Sequence, residues 1–270
     1  MPISIAVLLG IVEGLTEYLP VSSTGHLVLA GHLLGLNDDD PATSSFEIVV
    51  QLGAILAVVA HYRTLLGARL RGLAAGDKAS RDLAIAIALA FAPAAIVGLL
   101  LRKVIKAYLF GLLPVAIALV VGGVLMIVVE RVRAKKGVTG LTGLEHVTPA
   151  RALAIGLGQC VSMWPGSSRS MCTIVAGQLT GLSTETAAEF SFLLALPTLG
   201  AATLYEGFKA RSVLLDHVGS ASLGVGLVVS FFVAWAVIAS FLRYLRVRGL
   251  EPFGWYRIVL GAVVLWILSR

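Results

Sequence analysis

The alternation of apolar and polar positions divides the chain into six long apolar stretches, residues 46–62, 83–101, 112–129, 189–205, 222–242 and 253–268. A helix that crosses a bilayer needs about 20 mostly apolar residues, with a range near 17–25, so each stretch meets or approaches that length. Residues 2–36 and 150–182 break the pattern. Each reads as an apolar segment, a Pro/Ser/Gly-rich break and a second apolar segment. The breaks are Pro20-Val21-Ser22-Ser23-Thr24-Gly25-His26 and Pro165-Gly166-Ser167-Ser168-Arg169-Ser170. The arms that follow, 27–36 and 171–182, are too short to span. They predict two re-entrant helical hairpins, whose irregular backbone is tolerated at membrane depth only inside protein or beside a water-filled cavity.

The two odd regions resemble each other. Gly10-Ile11-Val12-Glu13 lines up with Gly156-Leu157-Gly158-Gln159 at an offset of 146, and Gly31-His32-Leu33-Leu34-Gly35-Leu36 lines up with Gly177-Gln178-Leu179-Thr180-Gly181-Leu182 at the same offset. The Pro-Val-Ser-Ser and Pro-Gly-Ser-Ser elements match with a one-residue slip, and each is followed by a Phe-led helix at Phe46 or Phe190. The expectation is a single membrane domain over 1–270, with internal repeat halves at roughly 1–130 and 150–270. Three spans plus a hairpin per half give the halves opposite orientation, an inverted-topology repeat. The fold class is thus all-α polytopic membrane protein: six transmembrane helices plus two re-entrant hairpins.

Composition supports that class: 58% of the residues are hydrophobic, 13% are charged and mean hydropathy is +0.93. A soluble domain carries about 25% charged residues, so an ordinary soluble enzyme is excluded. The net charge of +6 sits in short clusters between apolar runs, the pattern of cytoplasmic loops rather than of a nucleic-acid surface. Loops 63–81, 131–151 and 243–248 hold five, five and three Lys/Arg, against three and two in 102–106 and 206–218. The first group is therefore placed inside, and a hairpin entered from outside carries the first break. The run Asp38-Asp39-Asp40 then falls in an outer solvated loop. Cys160 and Cys172, both in apolar surroundings, are read as free thiols. The N-terminal stretch lacks a basic region and is interrupted by Glu13 and Glu17, which argues against a cleavable signal.

Candidate chemistry concentrates at the breaks. Glu13 and Glu17 lie four residues apart on a helix, so their carboxylates share one face. A charge at the bilayer centre costs about 2.5–3.5 kcal/mol on insertion scales, so two together demand a role or a partner. Paired carboxylates can bind a hard divalent cation or take a proton. Ser22, Ser23 and Thr24 bring hydroxyls, and His26 an imidazole three residues from Ser23. In the second break Arg169 stands among Ser167, Ser168 and Ser170; a guanidinium suits phosphate bidentately. Anion donors, acids and a hydroxyl beside an apolar phase fit a phosphoanhydride on a long apolar tail. No Gly-x-x-x-x-Gly-Lys-Ser/Thr run and no His-Glu-x-x-His motif occurs, which argues against an ATP-driven pump and a metalloprotease.

The motifs Glu13-Gly14-Leu15-Thr16-Glu17-Tyr18-Leu19-Pro20-Val21-Ser22-Ser23-Thr24-Gly25-His26 and Pro165-Gly166-Ser167-Ser168-Arg169-Ser170 resemble the two signatures of the bacterial undecaprenyl-pyrophosphate phosphatases of the bacitracin-resistance type. The resemblance runs over essentially the whole chain, including Phe46 through Gln51-Leu52-Gly53 and Glu189-Phe190-Ser191-Phe192. It implies hydrolysis of undecaprenyl pyrophosphate to the monophosphate carrier lipid of peptidoglycan synthesis, in the plasma membrane, with a link to bacitracin tolerance. By motif, Glu13 and Glu17 would hold Mg²⁺ or Ca²⁺ or assist proton transfer, and Arg169 would clamp the pyrophosphate. Ser23 is the candidate nucleophile and His26 its general base or the leaving-group acid, with direct attack by water as the rival. Ser22, Thr24, Gln51, Gly166, Ser167, Ser168 and Ser170 are the candidate substrate-binding residues. Met171 departs from the family pattern, which commonly has Gly there. The alternative function is a flippase for polyprenyl phosphate lipids, since broken helices and inverted repeats also build carriers. A homo-oligomer stays open.

Overall fold

The computed structural model describes residues 1–37, 40–109 and 111–269, so Asp38 and Asp39 of the acidic run lie outside the described residues. The chain is a helical bundle of α1 (Ile3–Thr16), α2 (Ser23–Leu33), α3 (Pro41–His61), α4 (Arg63–Ala74), α5 (Lys78–Tyr108) and α6 (Leu112–Lys135), followed by α7 (Pro149–Val161), α8 (Arg169–Leu179), α9 (Thr184–Lys209), the single turn α10 (Arg211–Val213), α11 (Ser220–Leu245) and α12 (Glu251–Leu268). Six of these, α3, α5, α6, α9, α11 and α12, are long and apolar enough to cross a membrane. They coincide with the six apolar stretches, each extended by polar caps that the hydropathy pattern leaves out. Asp40, Asp77 and Ser183 accept hydrogen bonds from the first turns of α3, α5 and α9, which satisfies N–H groups the helix itself cannot. Leu99 and Leu100 on α5 are 86% and 75% exposed, an outward apolar face that suits lipid rather than water.

Packing puts α12 along α6, α1 against α11, α7 against α5, and α3 against both α11 and α9. Glycines allow the closest crossings: a Cβ on Gly53 would stand 2.3 Å from the Leu227 carbonyl, and one on Gly123 2.5 Å from the Gly254 carbonyl. Without side chains there, backbones approach closely enough for dense van der Waals contact, the main source of helix association in lipid. The basic segment 63–81 between two spans contains α4, which buries none of its residues. Its Arg63, Arg69 and Arg71 lie among leucines, of which Leu70 and Leu73 are exposed.

The breaks are shorter than the sequence suggested, because α2 begins at Ser23 and α8 at Arg169. Ser22 and Ser168 are the N-caps, with φ of 77° and 70°, and no other described non-glycine residue has positive φ. Each side chain accepts from the backbone three residues on, Ser22 Oγ from Gly25 N–H and Ser168 Oγ from Met171 N–H, both at 3.2 Å. Ser22 and Ser168 are 146 positions apart, the offset that relates Gly10 to Gly156. The one-residue slip in the sequence alignment is therefore corrected: capping role, not the Pro-x-Ser-Ser spelling, equates the two breaks. Met171 leaves the cap intact, its side chain buried and its N–H used by Ser168.

Candidate active site

Aligned by cap, the first helical residues of α2 and α8 are Ser23 and Arg169, and both reach the same carboxylate. Ser23 Oγ donates to Glu17 Oε2 at 2.5 Å, and an Arg169 Nη donates to Glu17 Oε1 at 2.8 Å. Glu17 caps the C-terminus of α1 at the point where the chain turns into the first break. The Arg169–Glu17 pair is almost wholly buried, with side-chain exposures of 9% and 5%. Burial of that kind is costly unless further hydrogen bonds surround the pair, and the Arg169 Nη atoms have them although its buried Nε has no partner among the described residues. Arg169 accordingly also donates to Ser191 O and Ser191 Oγ at 3.0 and 3.1 Å, and its guanidinium lies 5.6 Å from the Tyr18 ring centroid. Tyr18 is in turn fixed through its hydroxyl, which donates to Ala54 O.

These groups face a polar cavity of about 210 Å³. Of the sequence-predicted residues, Glu17, Ser22, Ser23, Thr24, Gln51, Gly166, Ser168 and Arg169 line it. Ser162 and Thr198 line it too and escaped the sequence reading, because single hydroxyls in apolar stretches give no signal. The N-termini of α2 and α8 both open here. Their first-turn N–H groups and dipoles make the cavity a place for an anion.

Four predicted residues stand behind that surface. Ser170 Oγ donates to Leu19 O at 2.8 Å and shares a hydrogen bond with Ser168, stitching the second hairpin to the first break. Ser167 is buried in its own turn, its N–H donating to Trp164 O. His26 is not brought to Ser23: its Nδ1 contacts Ser22 O and its Nε2 contacts Tyr256 Oη, both at 2.7 Å. A carbonyl can only accept, so Nδ1 carries the proton and Nε2 accepts from the tyrosine. Glu13 is fully buried one turn below Glu17, and neither of its carboxylate oxygens has a hydrogen-bond partner among the described residues. Its charged neighbours are Glu17, Glu47 and Arg169.

Among the described residues no three His, Cys, Asp or Glu side chains form a metal-binding group. Glu13 and Glu17 are the carboxylates the site would offer a hard cation, Glu13 from behind the cavity lining and Glu17 from within it. Glu13 offers two unpartnered oxygens, whereas both oxygens of Glu17 already accept hydrogen bonds.

Arg257, in the second turn of α12, was missed. It is 0% exposed, and its guanidinium donates to Pro20 O in the first break and Gly166 O in the second. Its signal was present, since it is a cation inside the apolar stretch 253–268, but loop-charge counting looks only at span ends.

The family model described as bacitracin resistance protein BacA matches residues 6–263. A protein from Sorangium cellulosum named undecaprenyl-diphosphatase is 60% identical over 97% of this chain and 85% of its own length. Proteins of the same name from Thermoanaerobacter pseudethanolicus and Nitrosomonas europaea are 44% and 46% identical, over 98% and 96% of this chain and 96% and 92% of theirs. With its helical spans, paired breaks and near full-length identity to these relatives, the chain belongs to the BacA family of multi-pass membrane proteins.

Proposed function

We propose that this chain hydrolyses undecaprenyl pyrophosphate to undecaprenyl phosphate and inorganic phosphate. The observation that carries the reading is the clamp on Glu17, held between Ser23 and Arg169 where two helix N-termini meet one polar cavity. The name undecaprenyl-diphosphatase borne by the three relatives favours it as well.

The terminal phosphate sits against the first turns of α2 and α8, where Arg169 exchanges part of its contact with Glu17 for phosphate oxygens. Ser23 Oγ attacks the terminal phosphorus and passes its proton to Glu17, to which it already donates. The bond from that phosphorus to the bridging oxygen breaks, and undecaprenyl phosphate leaves with the electron pair. Water then attacks the phosphoserine, Glu17 returns the proton to the departing serine oxygen, and inorganic phosphate is released. Arg169 and the helix N-termini stabilise the charge that builds on the transferring group. The base is therefore Glu17, not His26, which stays bound to Ser22 and Tyr256. A divalent cation, Mg²⁺ or Ca²⁺, would be held by Glu13 and Glu17 and would neutralise charge on the pyrophosphate.

In the same reading α1–α2 and α7–α8 are re-entrant hairpins of an inverted repeat, in the plasma membrane, with the cavity opening outward. Two observations support it. Packing partners exchange consistently between halves, α1 with α11 as α7 with α5, while α6 meets α12 and α3 meets α9. The loops assigned to the inside hold 13 Lys/Arg against five outside. A cysteine placed at Ser22 and labelled only from the cytoplasmic side would contradict the outward opening.

The decisive test is phosphate release from undecaprenyl pyrophosphate by detergent-purified protein, beside Glu17→Gln and Arg169→Ala. Release by wild type, and a loss of about a hundredfold or more in each variant, is the expected result. Folded wild type that binds the lipid and releases nothing overturns the reading.

A further inference from the structure

Arg257 is a buried guanidinium bound entirely by backbone. Its Nη atoms donate to Pro20 O at 3.1 Å, Ala118 O at 3.1 Å and Gly166 O at 3.0 Å, and Nε lies 3.4 Å from Leu119 O. Among the described residues no carboxylate pairs with it. A cation removed from water without a counter-ion is costly, so a bonding pattern this complete points to a specific task.

The carbonyls it selects show what that task is. Pro20 and Gly166 are 146 positions apart, so they are the same position in the two breaks. Each precedes its N-cap by two residues and the first helical residue, Ser23 or Arg169, by three. One planar fork thus holds equivalent points of both hairpins, and through them the two groups that grip Glu17. The surroundings are shaped to admit it: a Cβ on Gly122 would lie 2.3 Å from an Arg257 Nη atom. Tyr256, next to it on α12, holds His26 in the first turn of α2.

We propose that Arg257 is a positioning residue for the phosphoryl transfer, setting the separation of Ser23 and Arg169 across Glu17 by bonding Pro20 O and Gly166 O together. This rests on the phosphatase reading. A lysine keeps the charge but presents one compact ammonium in place of the planar fork, so it cannot hold both breaks in the same geometry.

The test compares Arg257→Lys with Gly122→Ala, which keeps the arginine and crowds its fork, and with Gly254→Ala, which strains the same α6–α12 seam. A Cβ at Gly254 would lie 2.8 Å from Gly123 O, away from both breaks. Expected are a kcat lower by about tenfold to a hundredfold for the first two, KM within about twofold, and a kcat close to wild type for Gly254→Ala at a comparable drop in Tm. An Arg257→Lys protein with wild-type kcat, or a kcat loss that Gly254→Ala matches at equal Tm, overturns the proposal. Gly122→Ala decides the matter if Arg257→Lys does not fold.

A second readout needs no turnover. With Cys160 and Cys172 replaced by alanine, Thr24→Cys in the cavity is labelled by a small charged thiol reagent, with Arg257 or Gly122→Ala. A labelling rate changed by about fivefold or more supports the proposal, and an unchanged rate overturns it. Absence of phosphate release by wild type counts against the phosphatase reading alone, and labelling then decides the role of Arg257.

Discussion

The hairpins α1–α2 and α7–α8 share their local construction and differ in what holds their tips. Both second helices start from a serine N-cap with positive φ. Both end in a left-handed glycine, Gly35 at φ 70° and Gly181 at φ 90°, with Leu36 N–H returning to Gly31 O and Leu182 N–H to Gly177 O. That is the Schellman closure, in which the helix's last carbonyls are satisfied by the chain just beyond it. Beyond these matching ends the resemblance stops. At the tip of α8, Arg133 donates to Gln178 O and Leu182 O, Arg151 donates to Thr180 O, and the Gln178 amide donates to Glu130 at 2.5 Å and Thr184 at 2.8 Å. The tip leucines themselves do not differ in kind, Leu33 being 85% and Leu179 68% exposed. Along α8 every residue from Ser170 to Val175 is buried, whereas α2 buries Ser23, Gly25, Leu27 and Gly31. Similar local sequence therefore accompanies the same turn chemistry, and side chains from α6 and α7 add hydrogen bonds at the tip of α8. The less buried helix α2 carries Ser23, the proposed nucleophile, and the more buried α8 carries Arg169, the proposed anion clamp.

The largest expected effects test that division of labour. Ser23→Ala should lower kcat by about a hundredfold or more while lipid pyrophosphate still binds. Arg169→Ala should lower kcat similarly and also weaken binding, read by direct titration with undecaprenyl pyrophosphate. Equal binding by both variants would break the assignment of chemistry to one hairpin and anchoring to the other. Next comes the carboxylate pair. If Glu13 holds a cation, chelator should abolish wild-type release, and Glu13→Gln should show at least a tenfold loss that chelator deepens little. Full activity in chelator would leave Glu13 a proton-handling group and remove the metal.

A smaller effect concerns the tips themselves. Backbone amides of residues 177–182 should exchange with deuterium about tenfold more slowly than those of 31–36 in detergent, because opening the second tip breaks side-chain bonds from α6 and α7. Arg133→Ala should bring the two rates together. Equal protection in wild type would show that the shared turn chemistry alone sets local stability.

Much of this comparison was legible in the sequence, and the illegible part has a common cause. Long apolar runs located the six spans, and a carboxylate pair beside Pro/Ser/Gly breaks pointed to the candidate site, whose cavity Glu17 and residues of both breaks line, because both signals are local. His26 was assigned to Ser23 from their spacing of three, whereas its partner Tyr256 is 230 residues away. The exact match of Ser22 to Ser168 emerged only from backbone dihedrals, since tertiary packing, not spelling, forces a serine to positive φ. Arg257 serves carbonyls, which every residue possesses, so no motif could announce its partners.

The smallest expected effect lies in the caps and separates their two components. A non-glycine residue at positive φ costs on the order of 1–3 kcal/mol, and an N-cap side chain contributes about 1 kcal/mol. Ser168→Ala keeps the strain and loses the hydrogen bonds to Met171 N–H and Ser170 Oγ, so it should destabilise by about 1 kcal/mol or more. Ser168→Gly loses the same two bonds but relieves the strain, so it should be more stable than Ser168→Ala. The same pair of changes at Ser22 should shift Tm less, because the first hairpin, less firmly packed, opens before the bundle unfolds and contributes less to the global transition. Thermal unfolding of the four purified variants checks this. A Ser22→Ala shift as large as that of Ser168→Ala would mean that the first hairpin unfolds only with the rest of the bundle, so the unequal anchoring of the tips would not extend to their stability.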